Sequence, residues 1–238
     1  MKERSSIDPV LADNLARVRE TIENACIAAG RRREDVELVA VTKTVEPERI
    51  NQAIALGVRR IGENRVQEFL EKKPYLHLHG VNADLIGHLQ TNKVRHIAGQ
   101  VSMIQSVDSL RLAQAISTRS ESLGIVTPVL LEVNVGGEES KSGVAPDGLE
   151  ELLYGVQELG GIRVRGLMTV PPILPTEYEK RQVFSKMYQL FVDIRDKKLD
   201  NIDMLELSMG MSGDYREAIL EGATVVRVGS AIFGRRQY

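Results

Sequence analysis

The stretch Leu38-Val-Ala-Val-Thr-Lys-Thr44 ends a run of apolar residues with a lysine. Its β-branched residues favour extended backbone, so the apolar part is typical of a buried strand. Side chains alternate between the two faces of a strand, which places Val39, Val41 and Lys43 on one face. An ammonium group at the end of a buried strand must be solvated, ion-paired or used for chemistry.

The same pattern recurs along the chain, as a short apolar run, a turn and then a helical stretch. Eight candidate strands lie at Glu37–Thr42, Arg60–Gly62, Asp84–Gly87, Ser102–Val107, Val129–Asn134, Val164–Thr169, Met204–Ser208 and Val225–Val228. Helices are predicted at Glu46–Leu56, Asn64–Lys72, Thr91–Ala98, Ser109–Leu123, Pro146–Leu159, Glu177–Lys198 and Asp214–Glu221. This alternation predicts parallel strands with right-handed crossovers, and therefore an α/β protein with a closed (β/α)8 TIM barrel.

An open doubly wound sheet is the alternative. Against it, no glycine-rich dinucleotide-binding turn follows the first strand. We expect a single domain over residues 1–238, with an additional N-terminal helix from about Asp8 to Ala29 packed beside the barrel. Apolar residues of that helix recur at helical spacing, and Gly30 is a natural stop.

Composition narrows the classes of function. Of the 238 residues, 42% are hydrophobic and 27% charged, as expected for a globular protein. A net charge of −2 and the absence of tryptophan argue against nucleic acid as a partner. There is no apolar run of membrane-spanning length and no signal-peptide pattern in the first ten residues. Cys26 is the single cysteine, so a cytoplasmic location without membrane association is expected.

The active sites of such barrels lie at the C-terminal ends of the strands. Two turns rich in glycine and serine follow the last two strands, 208-SMGMSGD-214 and 228-VGSAIFG-234. Glycine allows close backbone approach, and amide groups at helix N-termini bind phosphate. The pattern therefore favours a phosphate held by backbone amides and serine hydroxyls, although these glycines could simply close tight turns.

A lysine amine together with a phosphate anchor suggests an aldehyde cofactor such as pyridoxal 5′-phosphate. The alternative is a rim lysine that pairs with Glu63 or with a substrate carboxylate. Arg227 shares a strand face with Val225 and Gly229, and an arginine only donates hydrogen bonds. It could face a pyridine nitrogen and keep it unprotonated, or it could form a structural ion pair with Glu206 on the neighbouring strand.

The sequence resembles the YggS-type pyridoxal phosphate homeostasis proteins from about residue 11 to the C-terminus. The motifs that carry the resemblance are 38-LVAVTKT-44, 61-IGENRVQEF-69, 85-LIGHLQTNK-93, 105-QSVDS-109, 131-LEVNVGGEESKSGV-144, 166-GLMTVPP-172, 207-LSMGMSGDYREAILEGAT-224 and 226-VRVGSAIFGRR-236. The family is usually aromatic just before the third motif, where this chain has 79-HGVNAD-84. That departure predicts a differently shaped wall of the pocket.

The resemblance implies the fold of the alanine racemase N-terminal domain and a role for nine residues. Lys43 would form the Schiff base with the cofactor, and Arg227 would face the pyridine nitrogen. The implied phosphate cradle consists of Ser208, Gly229 and Ser230, with Met209 and Gly210 alongside. Asn64 and Met168 would line the pocket of the ring.

The function implied by the resemblance is that of a carrier or buffer of pyridoxal phosphate in vitamin B6 and amino-acid homeostasis, without established catalysis. Possible partners are apo-enzymes that depend on the cofactor, and a monomer is expected. An amino-acid racemase is the alternative. Racemases of this type add a C-terminal β-domain and a tyrosine from the partner subunit, whereas here only about ten residues follow the last strand. A phosphosugar enzyme without the cofactor is a weaker third candidate.

Overall fold

The computed structural model describes residues 7–138 and 141–234. Eight parallel strands follow one another around a closed barrel, each paired with its neighbour in sequence, and β8 pairs with β1. The strands are β1 (Glu37–Val41), β2 (Arg60–Glu63), β3 (Asn82–Leu85), β4 (Met103–Val107), β5 (Thr127–Glu132), β6 (Ile162–Met168), β7 (Ile202–Ser208) and β8 (Val225–Val228). The predicted TIM barrel is confirmed, and the open sheet is excluded.

Helices alternate with the strands around the outside of the barrel. They are α1 (Pro9–Ala28), α2 (Pro47–Ala55), α3 (Val66–Lys72), α4 (Val94–Ile97), α5 (Leu110–Ser122), α6 (Leu149–Val156), α7 (Glu177–Lys197), α8 (Tyr215–Leu220) and α9 (Ser230–Phe233). The helices predicted to begin at Thr91 and Pro146 open instead as 3-10 turns, Thr91–Lys93 and Pro146–Gly148. Within the described residues, no helix is long and apolar enough to cross a membrane.

Helix α1 is the predicted N-terminal addition. Asp8 caps it by accepting a hydrogen bond from the Val10 amide at 2.9 Å, and Pro9 occupies the first turn. One face of the helix is buried, and it packs against α8 and α9. The buried residues are Leu11, Leu15, Val18, Ile22, Ala25 and Cys26. Helix α1 thus covers the part of the outer layer that follows β7 and β8.

The main apolar core lies between the strands and the surrounding helices. The inside of the barrel is different, because it combines a small apolar cluster of Met103, Leu130 and Met168 with buried polar and charged side chains. Charged side chains are rarely buried unless they are paired. The polar groups inside this barrel are therefore expected to form a hydrogen-bonded network, and that network lies directly below the C-terminal mouth.

Candidate functional site

Two adjoining cavities open at the C-terminal mouth of the barrel, each with a volume of about 300 Å³. The inner cavity is lined by Lys43, Asn64, Arg227, Ser212, Gly229 and Ser230, among others. The outer cavity shares Lys43, Gly229 and Ser230 with it and extends to Arg49 on α2. Lys43 therefore lies where the two cavities meet.

The backbone around Lys43 is held by helix α3. Thr44 has a φ of 61°, a left-handed conformation that residues other than glycine seldom adopt. Its amide donates to the carboxylate of Glu68, while Lys72 Nζ donates to the Thr42 carbonyl at 2.8 Å. Lys72 also donates to Glu68 at 2.6 Å. The peptide groups on both sides of Lys43 are thus fixed by one helix, which sets the direction of the lysine.

Glu63, considered above as an ion-pair partner of Lys43, is engaged by other groups. Its Oε1 accepts hydrogen bonds from Thr42 Oγ1 at 2.7 Å and from Lys72 Nζ at 3.0 Å. Only 1% of Glu63 is exposed, and burial raises its pKa against the opposing effects of Thr42 and Lys72. The Glu63 carboxylate therefore belongs, with Thr42 and Lys72, to the group of side chains that holds the end of β1.

Arg227 is buried on the inner face of β8 and fully oriented. Its Nη1 donates to Ser208 Oγ at 2.6 Å, and its Nη2 donates to the Thr169 carbonyl at 2.7 Å. Burial lowers its pKa to about 10, although Glu132 and Asp214 oppose that shift. The guanidinium stays protonated at neutral pH and acts only as a donor. It presents a fixed positive charge to the inner cavity.

Of the two roles left open for Arg227, the structural ion pair with Glu206 is not formed. Glu206 instead forms an ion pair with Arg60 at 2.8 Å. The register of the barrel explains the difference, since Ser208 is paired with Val225, and Glu206 therefore lies four residues below the level of Arg227. At about 3.3 Å per residue, that offset is roughly 13 Å along the strand.

A chain of hydrogen bonds continues from Arg227 through the inside of the barrel. The Ser208 hydroxyl bonds to Gln105 Oε1 at 2.7 Å, and Gln105 Nε2 donates to Asp84 Oδ2 at 2.6 Å. Arg60 Nε donates to the same Asp84 oxygen at 2.7 Å. Burial raises the pKa of Asp84 to about 6 against the opposing charge of Arg60. Because a guanidinium group only donates hydrogen bonds, the Ser208 hydroxyl accepts one from Arg227 and donates its own to Gln105 Oε1.

The loops after β7 and β8 are joined into one rim by Ser212. Its Oγ accepts hydrogen bonds from the amides of Gly229 at 3.1 Å and Ala231 at 3.4 Å. Gly229 packs closely on β1, because an added Cβ would lie 3.2 Å from Val41 Cβ. Ser230 is exposed at the mouth. The rim therefore offers backbone and hydroxyl groups beside Lys43.

Five of the nine residues named from the sequence line the inner cavity: Lys43, Asn64, Arg227, Gly229 and Ser230. The other four lie behind its wall. Ser208 is fully buried beneath Arg227, and Met168 packs inside the barrel. Met209 belongs to the core around the barrel, and a Cβ on Gly210 would lie 2.6 Å from Ala218 Cβ. Direct contact of these four with a cofactor stays a prediction.

Sequence reasoning did not single out Ile86 and Val170 as lining residues of the inner cavity, and it named Ser212 only as part of the turn after β7. Ser212 was within reach, because it is the second serine of the turn after β7. Ile86 and Val170 lie just beyond the ends of β3 and β6, where periodicity no longer indicates which way a side chain points. The segment of residues 79–84, which departs from the family pattern, lines neither cavity; its Asp84 is part of the network inside the barrel.

Glu132 is a further buried acid near the mouth. It follows Leu130 on the inner face of β5, is 5% exposed, and its Oε2 has no hydrogen-bond partner among the described residues. Burial raises its pKa to about 7, with Asp108 adding to the shift and Arg227 opposing it. Asp108 lies 3.3 Å from His88 Nδ1. This side of the mouth therefore holds a carboxyl group that titrates near neutral pH.

These features define a barrel protein with a small-molecule site at its mouth. The site combines a lysine after β1, a buried arginine on β8 and a rim of glycine and serine. The chain belongs to the family described as alanine racemase, N-terminal domain, whose model matches residues 11–237. A pyridoxal phosphate homeostasis protein of Aquifex aeolicus is 44% identical over 226 residues, which are 95% of this chain and 98% of that protein. The resemblance seen in the motifs is confirmed.

Two solved structures are also similar over nearly the whole chain. The crystal structure of an unknown protein from Bifidobacterium adolescentis has a TM-score of 0.91 and 39% identity, covering 97% of this chain and 98% of the other. PipY of Synechococcus elongatus, solved with pyridoxal phosphate bound, has a TM-score of 0.82 and 32% identity, covering 94% of this chain and all of PipY.

Proposed function

We propose that this chain binds pyridoxal 5′-phosphate in the inner cavity and carries or buffers it in the cytoplasm. The observation that supports this most is the meeting of Lys43, Arg227 and the Gly229–Ser230 rim in one cavity of about 300 Å³. A cavity of that size is at the lower end of the range for small ligands. The name of the Aquifex aeolicus relative and the cofactor bound in PipY point to the same ligand.

The residues present fit the chemical groups of this cofactor. Lys43 provides an amine, and when bound the cofactor provides an aldehyde carbon with which that amine combines. The hydroxyl groups of Ser212 and Ser230 suit a phosphate, since hydroxyls donate to its oxygens, and Gly229 lets the ligand approach the backbone closely. Arg227 would donate to the ring nitrogen, and Asn64 would flank the ring.

A carrier role without catalysis is the second part of the proposal. Arg227 remains protonated and is held by Ser208 and Thr169, so it cannot deliver a proton to a ring nitrogen. An unprotonated ring is a weaker electron sink, and stabilisation of a carbanion is what cofactor-dependent racemases require. The names of the curated relatives, which are homeostasis proteins, support a role in holding the cofactor.

Transfer of the cofactor tests the carrier role. The loaded protein would be mixed with a cofactor-free enzyme that depends on pyridoxal phosphate, and the recovered activity compared with that given by an equal concentration of free cofactor. We expect activation by the loaded protein and no formation of D-alanine from L-alanine by the protein alone. Steady racemisation would contradict the proposal.

We also expect a monomer, for which light scattering should give a mass of 26.4 kDa.

A further inference from the structure

A groove on the outside of the barrel, between α4 and α5, has no role in the proposed cofactor site. This α4–α5 groove has a volume of about 430 Å³. Its apolar lining residues are Val94 and Ala115, and its polar ones are Thr91, Arg95, Gln114, Thr118, Arg119 and Ser122. None of these described lining residues is acidic, so the groove presents only positive charge.

The surroundings of the groove do not balance that charge. Residues 89–126 contain four basic and two acidic side chains, namely Lys93, Arg95, Arg111, Arg119, Asp108 and Glu121. Asp108 lies 3.3 Å from His88 Nδ1, and Glu121 accepts a hydrogen bond from Ser117 Oγ at 3.0 Å. Ser117 Oγ also accepts from the Gly161 amide, which places Glu121 on the side of α5 that faces β6. Neither acid lines the groove.

The two arginines of the groove are oriented but keep unused donors. Arg95 Nε donates to His96 Nε2 at 2.9 Å, and Arg119 Nη1 donates to Ser122 Oγ at 3.3 Å. Within the part of the chain that the structure describes, neither arginine forms an ion pair, and the Nη2 of neither has an acceptor. The terminal nitrogens of a guanidinium group match a carboxylate in both charge and geometry.

An apolar patch continues the groove at the end of α5. Leu123, Ile125 and Val126 form this patch; all three are exposed, and they follow Ser122, the last residue of the helix. Leu123 and Ile125 lie beside Gly99, which follows α4, because a Cβ on Gly99 would lie 3.4 Å and 3.3 Å from their terminal carbons. Exposed apolar groups beside arginines are typical of surfaces that bind other proteins.

Shape and charge distinguish between the possible occupants. A concave groove accepts a peptide segment, whereas a flat lipid surface cannot enter it, and a nucleic acid would leave the apolar patch unused. We propose that the α4–α5 groove binds an acidic amphipathic segment of a partner protein, with carboxylates on Arg95 and Arg119 and apolar side chains on the patch. The groove lies outside the barrel, so a bound partner leaves the mouth open. The inference goes beyond the proposed cofactor site and does not rest on it.

The test is fluorescence anisotropy of a labelled peptide of repeated Glu-Glu-Leu-Leu units, titrated with the full-length protein. We expect saturable binding that the double variant Arg95→Gln/Arg119→Gln weakens about tenfold, because two charge-assisted hydrogen bonds are lost. The control Arg17→Gln/Lys186→Gln removes two charges at exposed positions on α1 and α7 and should leave the affinity unchanged. Val126→Ser, which changes the apolar patch, should weaken binding.

A second peptide, with glutamine in place of glutamate, tests the charge without altering the protein, and it should bind about tenfold more weakly. An absence of binding by the acidic peptide would overturn the proposal, as would equal binding of the two peptides or equal binding by the wild type and Arg95→Gln/Arg119→Gln.

Three measurements test the other occupants of the groove. Binding of phosphatidylserine vesicles or of single-stranded DNA, in place of the acidic peptide and lost in Arg95→Gln/Arg119→Gln, would overturn the proposal. So would a dimer in light scattering that this variant abolishes. Visible absorbance with pyridoxal phosphate judges the cofactor site separately, so peptide binding by a protein that lacks that absorbance would contradict only the proposed function.

Discussion

The guanidinium of Arg227 is held by the hydroxyl of Ser208, 2.6 Å from Nη1. The Ser208 hydroxyl donates a hydrogen bond to Gln105 Oε1, and Gln105 Nε2 donates in turn to Asp84. The charge at the wall of the inner cavity is therefore oriented by a polar chain that crosses the inside of the barrel. These contacts orient the arginine in the absence of a ligand.

Ser208→Ala should destabilise the protein because it leaves Arg227 Nη1 and Gln105 Oε1 buried without their shared partner. Buried polar groups that lose a partner cost about 1–3 kcal/mol in the free energy of unfolding. Urea denaturation measures this cost, and Ser185→Ala, at an exposed position on α7, is the control. If Ser208→Ala unfolds at the same urea concentration as the control, the hydrogen bonds of Ser208 contribute nothing to the free energy of unfolding.

Glu132→Gln should make stability less dependent on pH. The pKa of Glu132 is about 7 in the folded protein against an ordinary value of 4.5, so the folded state binds more protons between these values. Stability of the wild type should fall as pH rises from about 4.5 to 7 and stay lowered above that. The full shift corresponds to about 3 kcal/mol.

Chemical denaturation at pH 4.5, 6 and 8 would measure this effect. Glu132→Gln should gain stability relative to the wild type as pH rises, whereas Glu158→Gln, at an exposed position, is the control. A difference between Glu132→Gln and the wild type that stays the same at all three pH values would refute the assignment of a raised pKa to Glu132.

Lys72→Met should destabilise the end of β1. Lys72 is 12% exposed and Glu63 is 1% exposed, so the substitution leaves a buried carboxylate without its ammonium partner. Removing one partner of a buried pair costs about 3–5 kcal/mol. Because Glu63→Gln removes the unpaired buried carboxylate, the double variant Lys72→Met/Glu63→Gln should be more stable than Lys72→Met alone. Thermal unfolding of both variants checks this, and a double variant no more stable than the single one would contradict it.

The sequence predicted the barrel well because its signals are local. Each strand combines a short β-branched run with a following turn, and periodicity indicates which face Val39, Val41 and Lys43 share. Periodicity does not predict the register between strands, because the register depends on the stagger of the whole barrel. For that reason Glu206 stayed open as a possible partner of Arg227, although it lies too far from the mouth on the neighbouring strand.

The candidate site was only partly predictable for the same reason. Motifs placed Lys43, Arg227, Gly229 and Ser230 at one mouth, where the structure brings them together. They could not distinguish Ser208, which lies under Arg227, from Ser212, which joins the two loops of the rim. The hold of α3 on the backbone around Lys43 depends on Glu68 and Lys72, whose helical spacing alone indicates no more than an exposed ion pair.

The most direct test of the proposed site is borohydride reduction of the protein incubated with pyridoxal 5′-phosphate, followed by peptide mass mapping. A reduced adduct should appear on the peptide that contains Lys43, together with visible absorbance before reduction. Lys43→Ala should lose both signals, whereas Lys186→Ala, at an exposed position on α7, should keep them. An adduct on another lysine, or an unchanged spectrum in Lys43→Ala, would contradict the assignment of Lys43 as the residue that holds the cofactor.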